Sequence, residues 1–114
     1  MTGTGAGLDS QWLAEDGRLR WRLAGRLDAL AATAAREELA AADVSAPDVV
    51  VVDLRPLDFL DSAGLAVLVQ LLRRCEAAGT PLRMGFPPAA DAARVLELTQ
   101  FDRIFVPADP ADLP

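Results

Sequence analysis

Four consecutive valines, Val49–Val52, constrain this chain more than any other stretch. An unbroken β-branched run suits a strand covered on both faces, the kind found inside sheets that carry helices. The stretch continues to Cys75 as VVVVDLRPLDFLDSAGLAVLVQLLRRC. Asp53, Pro56, Asp58 and Asp61 make residues 53–61 read as a tight acidic loop around a small apolar group, Leu57, Phe59 and Leu60. From Ser62 onward, Leu65, Leu68, Leu72 and Cys75, with Val69 beside them, form one helical stripe, which predicts a helix to about Ala78. A hydroxyl therefore stands at the mouth of a helix whose unpaired N–H groups favour an anionic ligand or substituent.

The flanking sequence reads as scaffold. Residues 1–9 are small and polar and are expected to be a disordered lead-in. Gln11–Glu15 and Arg18–Leu27 are strand candidates joined by Asp16–Gly17, a strong hairpin signal. The second run alternates, with Leu19, Trp21 and Leu23 on one face and Arg18, Arg20 and Arg22 on a solvated other; Trp12 and Trp21 are core residues of the hairpin. Ala29 to about Asp43 is an alanine-rich helix with Leu30 and Leu39, and Ala34 and Ala35 would let it lie close to a sheet. Gly79 should cap the long helix. A strand at Pro81–Phe86, a helix at about Ala89–Thr99 with Ala92, Ala93, Val95 and Leu96 inward, and a last strand at Arg103–Val106 complete the chain. The order β-β-α-β-α-β-α-β predicts an α/β fold with a mixed β-sheet and helices packed on it. One domain is expected at residues 10–107, with a tail at 108–114. The acidic loop then lies at the carboxyl end of the central strand, where α/β sheets meet ligands and partners.

Absences narrow the function. The chain has no histidine, no lysine and no tyrosine, and all eleven basic residues are arginine. Ser–His–Asp and Cys–His catalysis, a phosphate-loop lysine and a Schiff-base lysine are therefore excluded. A metal is not expected: zinc would need carboxylates alone, and Asp53 and Asp58 lack a spaced third ligand. No cofactor is implied. A formal net charge of −6 argues against nucleic acid as a partner. Neither a membrane span nor a signal peptide is legible, so a cytoplasmic chain without membrane insertion is expected. The one cysteine, Cys75, lies on the apolar stripe and reads as a buried free thiol.

Three pieces of the chain resemble the STAS-domain family, which includes bacterial anti-sigma factor antagonists (anti-anti-sigma factors). The run VVVVDLRPLDFLDSAGLAVLVQLLRR resembles the family signature. LAGRLDAL resembles the family's Gly-Glu-Leu-Asp turn, with Gly25, Leu27 and Asp28 matching. PLRMGFPPAADAARVLELTQFDRIF resembles the last strand–helix–strand, including its Leu-Glu-Leu-Thr and Asp-Arg-Ile-Phe runs. The resemblance implies a STAS fold and a partner-switching, non-enzymatic role. The serine after the loop aspartate, here Ser62 after Asp61, would be phosphorylated by a partner that is both serine kinase and anti-sigma factor. The unphosphorylated form would bind that partner and free the sigma factor, and a serine phosphatase would reset the switch. The partner-binding set carried over is Asp28, Asp58, Asp61, Ser62, Ala63, Gly64 and Leu65, on a monomer. This chain departs from the family where Ala63 replaces a second hydroxyl residue, and where Ala31 and Ala32 stand in place of a threonine.

Simpler readings stand beside these. Ser62 or Asp61 could cap the helix, Asp28 could end its strand in a turn, Gly64 could allow close backbone approach, and Phe59 and Leu60 could belong to the core. The alternative function is a STAS module of a constitutive assembly, a stress-signalling scaffold or the soluble subunit of a membrane transporter, with Ser62 unmodified. A serine hydrolase is disfavoured because Leu60 stands where a nucleophile elbow needs glycine and no histidine exists.

Overall fold

The long apolar runs expected of a central strand are where the sheet is deepest. The structure, a computed structural model, describes residues 2–5 and 7–113, with side chains from Gly7 onward. Its strands are β1 (Thr2–Gly5), β2 (Leu8–Glu15), β3 (Arg18–Leu27), β4 (Val49–Asp53), β5 (Leu57–Leu60) and β6 (Leu82–Gly85). Its helices are α1 (Ala29–Ala41), α2 (Ser62–Ala78) and α3 (Ala90–Leu98). The sheet runs β1-β2-β3-β4-β6, and β5 also pairs with β3. The first two pairings are antiparallel, and β3/β4, β3/β5 and β4/β6 are parallel, so the sheet is mixed.

The hairpin turn forms at Asp16 and Gly17, whose φ of 52° and 77° are the left-handed values a two-residue turn requires. Trp21 is fully buried and Trp12 nearly so, and their rings stack at 4.3 Å. The Trp21 indole N–H donates to Ser10 Oγ at 2.7 Å, and Ser10 Oγ donates to Glu38 Oε1 at 2.7 Å, which ties the hairpin to α1. On α1, Ala31, Ala32, Ala35 and Leu39 face inward. Two guanidinium N–H groups of Arg74 donate to the Leu39 and Ala42 carbonyls at the end of α1, fixing it to α2. Gly79 ends α2 in the left-handed conformation.

Four expectations change. Thr2–Gly5, taken for lead-in, pairs with β2 through its backbone, and Leu8 opens β2 with its side chain buried. Met1 and Ala6 of that lead-in lie outside the described residues. The acidic loop contains a strand: after a turn at 54–56 the chain rejoins β3 beyond the reach of β4, pairing Leu57 with Gly25 and Leu60 with Leu27. On α2 the buried set is Gly64, Leu65, Val67, Leu68, Leu71 and Cys75, while Val69 and Leu72 are half-buried. The inward face is rotated by about one residue because Gly64 presses against β3 and turns its own side of the helix toward the sheet. Leu30 is 78% exposed. Finally, Arg103–Val106 is not a strand. The amides of Arg103, Ile104 and Phe105 bond to carbonyls of Gln100 and Phe101 in a 3-10 turn, leaving one parallel bridge between Met84 and Pro107.

Cys75 is 1% exposed, and burial pushes its thiol pKa up to about 11. A thiol held protonated and shielded is a poor nucleophile. In the native protein at pH 8 a thiol reagent should therefore leave Cys75 unlabelled, with stoichiometric labelling in denaturant; fast native labelling would contradict its placement.

Candidate functional site

Two helices begin side by side at the carboxyl edge of the sheet. Asp28 caps α1, its Oδ1 accepting from the Ala31 N–H at 3.1 Å. Asp61 caps α2, its Oδ1 accepting from the Gly64 N–H at 3.0 Å. The second oxygen of Asp61 accepts from the Ala29 N–H at 3.1 Å, so one carboxylate joins the first turns of both helices. Each aspartate sits in extended backbone, as a cap residue should. Behind them, the Arg26 guanidinium lies 4.2 Å from the Phe59 ring centroid, and its Nε is 3.6 Å from Asp28 Oδ2.

Because Asp61 makes the capping bonds, Ser62 is released from that duty. It is the first residue of α2, it is exposed, and its hydroxyl has no hydrogen bond to a described residue. The N–H groups of this first turn lie beside it with the positive end of the helix dipole. From Ser62 a shallow, open depression follows the outer face of α2 past Leu65, Ala66, Val69, Gln70 and Arg73.

The remaining expected site residues are distributed as follows. Ala63 is half-buried against the core. Gly64 is buried, and a Cβ there would stand 2.7 Å from Leu60 Cδ1 and 2.8 Å from Leu27 Cγ, besides colliding with the Leu27 carbonyl. Leu65 is 6% exposed and borders that depression. Asp58 is exposed on β5 and has no hydrogen bond or ion pair to a described residue. Leu60 is buried and Phe59 half-buried. Sequence reasoning named Leu30 and Val69 only as helix residues, and placed neither them nor Ala66 and Arg73 at the site. A signal for Leu30 was present: nine residues at 100° each place it opposite Leu39 on the helix, so both could not face the core.

Asp53 is spent on an ion pair. It is 2% exposed, and its carboxylate accepts from Arg55 Nε and Nη2, both at 2.9 Å, and from the Arg55 amide at 3.1 Å. Burial alone would raise its pKa, but the Arg55 hydrogen bonds, with the charges of Arg55 and Arg22, hold it below the ordinary aspartate value. The sign follows. The pair stabilises the fold fully above the unfolded pKa of about 3.9, and the contribution is lost as pH falls through the lowered folded value. With the Arg55 side chain 41% exposed, Asp53→Asn should lower stability near neutral pH by about 1–2 kcal/mol, between surface and buried pairs. Urea unfolding at neutral pH and near pH 3 checks this: the difference between variant and unaltered protein should shrink in acid. Among the described residues no group of three or more potential metal ligands is present.

Comparison with protein families matches residues 11–107 to the family described as "Mlab, STAS domain". The chain belongs to the STAS-domain family. Its fold is shared by an anti-sigma factor antagonist from Mycobacterium paratuberculosis (23% identity, TM-score 0.78, covering 92% of this chain and 89% of the other). It is also similar to the anti-sigma factor antagonist SpoIIAA in its unphosphorylated form (20% identity, TM-score 0.73, 90% of each chain). The Bacillus cell fate determinant SpoIIAA in its phosphorylated form superimposes as well (20% identity, TM-score 0.66, 90% of this chain and 94% of that chain). A search of curated proteins found no match. Among the described residues, no helix of this STAS domain is long and apolar enough to cross a membrane.

Proposed function

We propose that this STAS domain is an anti-sigma factor antagonist whose binding is switched by phosphorylation of Ser62. One observation carries the reading: Asp61 caps α2 in place of Ser62, leaving an exposed, unbonded hydroxyl at a helix N-terminus. The similarity to antagonist structures, in both phosphorylated and unphosphorylated forms, supports it. In the unphosphorylated state the surface around Asp28, Asp58, Asp61, Ser62 and Ala63 binds a kinase-type anti-sigma factor, with Gly64 and Leu65 setting its height from beneath. The sigma factor is thereby freed.

Phosphorylation moves the γ-phosphoryl group of the kinase's nucleotide onto Ser62 Oγ, whose proton passes to a base on the kinase. The kinase's nucleotide and metal supply that chemistry, and Asp61 orients the acceptor turn. The product carries close to two added negative charges. Amides at the start of α2 can hold them within the fold. Toward a closely fitted partner the same charges, standing beside Asp61 and Asp28, are repulsive and desolvated, which dissociates the complex. A serine phosphatase returns the hydroxyl by hydrolysis. This STAS domain is then substrate and ligand rather than catalyst, a cytoplasmic monomer. Transcript profiling of the host carrying each variant tests the reading. Ser62→Ala should switch on one sigma-factor regulon constitutively and Ser62→Asp should leave it silent; identical profiles would sink it.

A further inference from the structure

The Ser62 site leaves unused a row of arginines on the sheet face opposite the helices. Register places Arg18, Arg20 and Arg22 of β3 beside Val49, Val51 and Asp53 of β4, with Arg83 and Gly85 of β6 beyond and Leu13 of β2 on the near side. Val50 and Val52 join the helix-side core, whereas Val51 is fully buried yet lies outside that cluster, flanked by Arg20 and Arg83. The segment that crosses this face is the end of the chain. Pro110–Asp112 forms a 3-10 turn, and Asp112 Oδ1 accepts from Arg18 Nε at 2.8 Å. Leu113 packs so near Gly85 that a Cβ there would stand 3.1 Å from Leu113 Cδ2. An aspartate followed by a leucine is thus seated on an arginine and a glycine.

That segment satisfies only the first arginine of the row. Arg20 Nε is buried without a hydrogen-bond partner. Arg83 donates to its neighbour's carbonyl, that of Leu82. Arg22 is exposed beside the Asp53 carboxylate, Glu15 stands opposite Arg18 on the same face, and Leu13 there is 49% exposed. We propose that this face is a docking surface for an acidic, extended segment of a partner protein, which displaces residues 109–113 and brings carboxylates to Arg20, Arg22 and Arg83 as well as Arg18. Guanidinium groups bind carboxylates as planar forks, and they are the weakly hydrated cations best suited to interfaces. In a chain of net charge −6, the four arginines of this row outnumber the Glu15 and Asp53 carboxylates beside them, so the face attracts an acidic segment where most of the molecule repels it. The chain's own Asp112–Leu113 acts as a resident competitor, lowering apparent affinity by the fraction of time it is seated.

Fluorescence anisotropy on the full chain tests this, with the labelled peptide Ala-Asp-Glu-Glu-Asp-Leu-Pro as probe. A variant with Asp112→Ala and Leu113→Ala, which loosens the resident segment, should bind the peptide at least about tenfold more tightly than the unaltered chain. Adding Arg20→Gln and Arg83→Gln to that background should abolish binding while circular dichroism is unchanged. If those substitutions impair folding, exposed Arg22→Gln alone should still weaken binding measurably. No anisotropy change with the loosened variant would overturn the proposal. So would undiminished binding after the arginine substitutions, or equal binding of a single-stranded oligonucleotide of matched charge, which would make the face a general polyanion surface.

Discussion

If the proposed switch operates, Ser62→Asp is expected to weaken binding of a kinase-type anti-sigma factor by about 100-fold or more, while Ser62→Ala stays within about threefold of the unaltered protein. The asymmetry follows from the cap. Were Ser62 the residue holding α2, alanine would remove the cap and reduce binding too, whereas aspartate could still serve as a cap. With Asp61 bonded to Gly64 and Ala29, alanine removes only a solvated hydroxyl. Aspartate adds a charge beside Asp61 and Asp28 at a surface that must shed water to bind, and a like-charge contact there costs several kcal/mol (roughly 3–4). Calorimetric titration of the purified partner into each variant measures the ratio, and melting curves should superimpose to within about 3 °C.

Gly64→Ala should produce the largest loss of stability among conservative changes at the site. Its Cβ would enter the space of the Leu27 carbonyl and stand well inside contact with Leu60 and Leu27 side chains. Leu27 and Leu60 are themselves buried and paired across β3 and β5, so neither can withdraw freely. Overpacking of this kind costs up to about 3 kcal/mol, and the gain in helix propensity over glycine returns about 1. The net of about 2 kcal/mol corresponds to a melting temperature lower by about 6–10 °C. Partner binding should fall as well, because relief of the clash lifts the first turn of α2 away from the sheet. An unchanged melting temperature would mean that α2 does not sit against β3 as described.

The features legible in the sequence are those written in local chemistry. The valine run, the Asp16–Gly17 turn, the alternation of Arg18 to Leu23 and the Gly79 cap each specify their conformation within a few residues. β5 was not legible because Leu57–Leu60 is short, follows Pro56 and contains Asp58, and what makes it a strand is a pairing with β3 some 30 residues earlier in the chain. β1 was hidden for a related reason: Thr2–Gly5 has no apolar alternation, and its pairing with β2 is a backbone ladder. At the site, Asp61 and Ser62 were equal candidates for the cap, since both residue types rank high there. The bond that helps decide between them comes from Ala29, 32 residues away. The arginine row was visible as an alternating stripe, but not that Asp112 and Leu113 return to cover it, a contact spanning 94 residues.

The most direct test of the switch is the intact mass of the protein recovered from its host under several growth conditions, followed by peptide mapping. The account predicts a fraction heavier by one phosphate, mapped to Ser62, varying with condition and absent from Ser62→Ala. A Ser62 that is unmodified in every condition, with a partner held equally well by Ser62→Ala and Ser62→Asp, would contradict it and point to a constitutive complex.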